Sequence, residues 1–110
     1  MSRITFETPI KVPLGDTFSI SLEVGSPEGY DWIVSEYSSI ALELESSLIE
    51  DGYRVFIFKG RSKGTSQLIF DNESPDSEMI EQREYTIDVP ANRIEYRYGP
   101  NLLDNAQMEV

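Results

Sequence analysis

The side chains able to do chemistry are supplied unevenly. Twenty carboxylates stand against nine lysines and arginines, and neither histidine nor cysteine occurs. Without histidine the chain has lost the commonest general base, the commonest zinc ligand and the central member of most nucleophilic triads. Without cysteine it has no thiolate site and no disulfide framework. Serine and threonine are plentiful, but the only lysines are Lys11, Lys59 and Lys63, and none follows a serine at Ser-x-x-Lys spacing. Paired carboxylates could in principle cleave a glycoside. A sugar cleft, however, asks for a longer chain and for aromatics outside the core.

Two segments invite a ligand reading. Asp71-Asn72-Glu73-Ser74-Pro75-Asp76-Ser77-Glu78 offers hard oxygen ligands for calcium. It has neither the central glycine nor the terminal bidentate glutamate of an EF-hand, and it reads as a solvated acidic loop. Lys59-Gly60-Arg61-Ser62-Lys63-Gly64 is glycine-rich and basic. It lacks phosphate-loop spacing and is followed by a strand pattern where a helix is needed, so it reads as a connecting turn. The expectation is therefore no enzyme, no metal and no cofactor.

What must position the remaining polar residues is a set of strands. Phe18, Ile20, Leu22 and Val24 alternate with polar residues, as do Tyr85, Ile87 and Val89, and Ile40, Leu42 and Leu44. Such period-two patterning puts one face on a core and the other in water. Val55-Phe56-Ile57-Phe58 and Leu68-Ile69-Phe70 are continuous runs of β-branched and aromatic residues, suited to central strands. Proline, glycine and aspartate clusters separate the runs. The predicted strands cover 4–12 (broken at Pro9), 17–24, 31–37, 40–45, 53–59, 65–71 and 83–89. The segment Glu45–Glu50 also suits a short helical turn. About seven short strands on a chain of this length predict an all-β, immunoglobulin-like sandwich. Residues 1–90 form the predicted domain and 91–110 a C-terminal extension, in which Arg93–Tyr98 alternates charged and apolar residues like an extra edge strand.

The formal net charge is −11. That opposes binding to nucleic acid or to anionic membranes and favours a basic protein partner or simple solubility. The first residues show no signal-peptide pattern, and no apolar run reaches membrane-spanning length, so a cytoplasmic monomer is expected. In a seven-strand sandwich alternate loops share a pole. That rule gathers Glu28, then Glu50 and Asp51, then Asp71, Glu73, Asp76 and Glu78 at one end. Lys59, Arg61 and Lys63 fall at the other.

Leu14-Gly15-Asp16-Thr17-Phe18-Ser19-Ile20-Ser21-Leu22, followed by Ser26-Pro27-Glu28-Gly29-Tyr30-Asp31-Trp32, resembles the chagasin family of cysteine-protease inhibitors. That family opens a strand on a Gly-acidic pair and then shows an Asn-Pro-Thr-Thr-Gly-aromatic-x-Trp loop. Phe58–Phe70 is similar to the family's stretch leading into its last inhibitory loop, and the likeness spans residues 10–89. It implies an immunoglobulin-like sandwich whose three loops at one pole enter the cleft of papain-like proteases as a wedge, without chemistry. The chain departs from the family at each tip. Ser26-Pro27-Glu28 is one residue shorter than Asn-Pro-Thr-Thr; only Gly52 remains of a Gly-x-Gly-Gly loop; only Pro75 remains of an Arg-Pro-Trp motif. Arginine and tryptophan often carry about 2 kcal/mol or more each at interfaces, so the departure implies weaker protease binding, by about a thousandfold. The implied contact residues are Pro27, Glu28, Gly29, Tyr30, Asp51, Gly52, Glu73, Pro75 and Asp76. Trp32 is expected to anchor the core. The alternative is an acidic adaptor on the same scaffold that binds a basic protein surface.

Overall fold

In the computed structural model, residues 2–25 and 28–91 are described. They form strands β1 (Ser2–Thr5), β2 (Ile10–Lys11), β3 (Thr17–Glu23), β4 (Asp31–Glu36), β5 (Leu42–Glu50), β6 (Tyr53–Gly60), β7 (Gly64–Glu73) and β8 (Met79–Val89). One sheet runs β1-β8-β7-β4, with β2 also on β8; the other runs β3-β6-β5. The two packed sheets are the predicted all-β, immunoglobulin-like sandwich. The candidate strand at 93–98 lies outside the described residues.

The first predicted strand is two strands. β1 and β2 both lie parallel on β8, Ser2 opposite Glu81 and Ile10 opposite Ile87. Pro9 between them has no N–H to give to a ladder. The continuous apolar runs are central, as predicted: β6 lies between β3 and β5, and β7 between β8 and β4. Phe56, Phe58, Leu68, Phe70, Ile87, Leu22 and Leu42 fill the space between the sheets. Phe56 and Phe70 meet across it with ring centroids 4.8 Å apart. Each such side chain contributes about 1.5–3 kcal/mol by leaving water.

Three sequence expectations are corrected. Glu45–Glu50 is strand and holds no helical turn. A bulge between Leu44 and Ser46 adds one residue to β5, so the side facing the core changes phase and the alternation is interrupted in the sequence. A single helical turn does occur upstream, where the Leu42 N–H donates to Ser38 C=O at 3.0 Å. That turn also overturns the alternation read through Ile40, which is 75% exposed while Ala41 is 3% exposed. Finally, β8 begins at Met79, four residues before the predicted start. Its pattern was masked because Glu81 and Arg83 fall on the alternating set that points inward, as a 2.8 Å ion pair.

The two outer faces differ. On the larger sheet Arg3 donates to Gln82 and to Glu84 (2.6 Å), Gln67 donates to Glu84 (2.5 Å), and Gln82 donates to Asp71 (2.9 Å). On the smaller sheet the register sets cross-strand rows Ser19–Ile57–Ser46, Ser21–Val55–Leu48 and Glu23–Tyr53–Glu50.

Candidate functional site

The loops joining β3 to β4, β5 to β6 and β7 to β8 meet at one pole. The β5–β6 connection is the two-residue turn Asp51-Gly52. Both residues have positive φ, 53° and 83°, the conformation that a twisted two-residue hairpin requires. Aspartate tolerates it and glycine adopts it without a Cβ penalty. The Gly52 carbonyl accepts the Val24 N–H at 3.0 Å, which fastens this hairpin to the start of the β3–β4 loop. That loop closes on itself where the Gly25 N–H donates to Tyr30 C=O at 3.1 Å. Gly29 turns at φ 90°, and a Cβ there would stand 3.9 Å from Pro75 Cδ, so the first and third loops lie side by side.

The β7–β8 loop is organised by Ser74. Its backbone N–H donates to Glu78 C=O at 3.0 Å, and its carbonyl accepts the Ser77 N–H at 2.9 Å. Its Oγ accepts the N–H groups of Asp76 (3.2 Å) and Glu78 (3.1 Å). Ser77 is left-handed at φ 65°, which matches a β-turn followed by one left-handed residue.

Beneath the loops two polar links cross between the sheets. Arg54 on β6 pairs with Asp31 at the first position of β4, Nη2 to Oδ2 at 2.6 Å. Asp31 Oδ1 also accepts the Trp32 N–H at 2.7 Å. The Arg54 hydrogen bond holds the Asp31 carboxyl below its ordinary 3.8 against the opposing effect of burial. Trp32 is 3% exposed, and its Nε1–H donates to Glu23 C=O on β3 at 2.8 Å. Its ring lies 5.1 Å from the Arg83 guanidinium carbon. Trp32 therefore anchors the core directly under the loops.

Of the sequence-derived contact residues, Glu28, Gly29, Tyr30, Asp51, Gly52, Pro75 and Asp76 sit in these loops, and Glu73 is the last residue of β7. Pro27 lies outside the described residues. Asp71 is corrected: it belongs to the interior of β7, on the outer face, where it accepts Gln82. Among the described residues no group of three acidic side chains is placed to hold a metal ion. The three loops and their flanks carry Glu28, Glu50, Asp51, Glu73, Asp76 and Glu78 with no lysine or arginine between them. The nearby arginines, Arg54 and Arg83, are paired with Asp31 and Glu81.

The other pole gathers the basic turn. Arg61 N–H donates to Ala41 C=O at 2.8 Å, Ser62 Oγ donates to Ile40 C=O at 2.6 Å, and Gly15 N–H donates to Gly60 C=O at 2.9 Å. The sequence missed the Asp31–Arg54 link, because its partners lie far apart in the chain on different sheets. It also missed the role of Ser74, although a serine before Pro-Asp is a recognisable turn signal.

No family model matches the chain, and no curated protein does. Solved structures match well. The cysteine protease inhibitor EhICP2 from Entamoeba histolytica aligns at a TM-score of 0.66 and 18% identity, over 80% of this chain and 93% of that one. Amebosin, in its solution structure, aligns at 0.59 and 17% identity, over 83% and 97%. PbICP-C, in complex with falcipain-2, aligns at 0.57 and 13% identity, over 80% and 89%. The chain thus shares with these proteins the fold that the resemblance to the chagasin family implies.

Proposed function

We propose that this protein is a non-catalytic, chagasin-type inhibitor that places its three polar loops in the active-site cleft of a papain-like cysteine protease. The observation that carries the reading is the convergence of 24–25 and 28–30, 51–52 and 74–78 on one tip, locked together by the Val24–Gly52 hydrogen bond and the approach of Gly29 to Pro75. The fold shared with EhICP2, itself a cysteine protease inhibitor, supports it. So does the complex of PbICP-C with falcipain-2. The contacts fall to Pro27, Glu28, Gly29, Tyr30, Asp51, Gly52, Glu73, Pro75 and Asp76.

Such loops block a cleft without becoming substrate. A protease binds its substrate extended, whereas Gly25, Gly29, Asp51, Gly52 and Ser77 are all held in positive-φ turns. Occlusion needs no bond to form or break.

The test is a titration of papain with a fluorogenic peptide, with Glu28→Thr alongside. Inhibition that is reversible and leaves the chain uncut is expected. Glu28→Thr restores the family's residue type at the tip and is expected to tighten the complex about tenfold, or 1.4 kcal/mol. No inhibition by either form at high micromolar concentration would sink the reading.

A second reading follows from the uncompensated charge of the same tip: an acidic adaptor gripping a basic protein surface. It predicts steep weakening with salt. Affinity unchanged between low and high salt would refute it.

A further inference from the structure

We infer that the chain's own segment Arg93–Tyr98 docks on the open edge of β3, adding a fourth strand, parallel to β3, to the smaller sheet. The inference is independent of the protease reading.

β3 has β6 on one side and no described strand on the other. The Gly60 N–H donates to Asp16 C=O and the Val24 N–H to Gly52 C=O, so the even-numbered residues of β3 direct their backbone groups at β6. Thr17, Ser19, Ser21 and Glu23 direct theirs at the open edge. Only the Glu23 carbonyl is taken there, by the Trp32 Nε1–H. An edge of this kind is a template for another strand.

The larger sheet shows a matching gap. β1 and β2 both lie beyond β8, and the short connection 12–16 brings β3 to their side of the sandwich. Arg3 meets Glu84 on the outer face, so Ile4 turns inward by the alternation of a strand. Phe6 stacks on Tyr85 with centroids 4.6 Å apart, and Tyr85 packs edge-on against the core ring of Phe70. Ile4 and Phe6 thus belong to the inner side, yet they are 39% and 40% exposed. The inward pair Glu81–Arg83 is likewise only part-buried. Among the described residues the smaller sheet has no strand beneath this corner.

Where the chain goes selects the occupant. A Cβ on Gly60 would stand 3.4 Å from Val89 Cγ1 at the end of β8, and Gly60 is the residue bonded to Asp16. β8 therefore ends beside the start of β3. Residues 90–92 span at most about 10 Å when extended, the width of two strand spacings. The segment that follows runs from the basic pole towards the tip, as β3 does, and six residues cover about 20 Å of edge. Ile94, Tyr96 and Tyr98 alternate with Arg93, Glu95 and Arg97. With the first set inward, they lie beside Phe18, Ile20 and Leu22 and cover Phe6 and Ile4. Tyr98, at the tipward end, offers its hydroxyl to the Glu81–Arg83 pair, which suits a tyrosine better than a purely apolar residue. The charged set falls beside Thr17, Ser19 and Ser21; the one charge in that row of β3 is Glu23, nearest Arg97. Held by so short a tether, the segment competes at an effective concentration of about millimolar, above a second copy or a foreign strand.

The experiment follows amide exchange and NOE contacts in the full chain by NMR. Slow exchange at Ser19 and Ser21 is expected, with contacts from Ile94 and Tyr96 to Phe6 and Phe18. In the parallel register Tyr96 sits between Ser19 and Ser21 and donates its N–H to Ser19 C=O. Tyr96→Pro removes that donor, outside the described strands. It is expected to speed exchange at Ser19 and Ser21 by about tenfold or more, while Phe56 and Phe58 on β6 stay protected. Equal exchange at Ser19 and Ser21 in parent and variant would overturn the inference. Protection that disappears on dilution, with a doubled mass in sedimentation at high concentration, would give the edge to a second copy and overturn it as well.

Discussion

Asp31 and Arg54 are the residues on which the tip rests. The pair is partly exposed, with side-chain exposures of 42% and 21%. Solvent therefore screens it, and its worth lies in joining the sheets more than in its Coulomb energy. Its pH signature has a definite sign. The Arg54 hydrogen bond lowers the Asp31 carboxyl in the folded state, so its stabilisation is full above the ordinary 3.8 and fades as the pH falls through the depressed value. Asp31→Asn should melt below the parent at pH 7, and the gap should close in acid; thermal melts from pH 7 to pH 2 check this. Asn72 makes the opposite prediction. It is 3% exposed, and its Oδ1 has no hydrogen-bond partner. An unsatisfied buried acceptor costs about 1–3 kcal/mol, so Asn72→Val should raise stability. A denaturant midpoint that moves up with an unchanged slope would show it. Neither residue announced itself in the sequence. The partner of Asp31 is known only once β4 and β6 are placed on opposite sheets, and Asn72 is buried only because β7 continues to Glu73.

At the scale of elements, the turns decide the shape of the tip. Gly52 sits at φ 83°, where an L side chain is strained. Gly52→Ala should cost about 1–2 kcal/mol, or roughly 4–8 °C in melting temperature for each kcal/mol. Because Gly52 also accepts the Val24 N–H, the same substitution should weaken papain inhibition in the intact protein. An alanine variant that inhibits as well as the parent would separate the hairpin from the site. Strands were legible where the period of two ran unbroken, as in β3 and the second half of β8. They were illegible where a bulge reset the phase in β5, and where a charged pair, Glu81 and Arg83, took inward positions in β8. The loops were legible through glycine, proline and aspartate, whose preferences are local. The hydrogen bonds that tie one loop to another were not, because they depend on the register of strands distant in sequence.

For the whole molecule the salient property is polarity of charge along the strand direction. Glu28, Asp51, Asp76 and their neighbours occupy one end, while Lys59, Arg61 and Lys63 occupy the other. Alternate loops of a sandwich share a pole, so this arrangement could be read from the order of strands alone. A molecule polarised in this way is drawn to a basic cleft tip-first, and the effect acts mainly on the rate of encounter. Raising salt from low to physiological strength should slow association with papain while changing dissociation much less. Stopped-flow mixing at two ionic strengths separates the two rates; an association rate indifferent to salt would remove the steering role of the tip. What the sequence alone could not reach was the convergence of Arg3 and Gln67 on Glu84, which needs the register across three strands at once.

The pairing of β1 and β2 with β8 has a consequence for how the protein is made. Ser2 lies opposite Glu81 and Lys11 opposite Asp88, so β1 and β2 meet their neighbour only once β8 has left the ribosome. Contacts so distant along the chain slow folding, because loop closure must precede any reward. All three strands of the β3-β6-β5 sheet are made before β8, while β1 and β2 stay exposed and open to wrong partners until β8 follows.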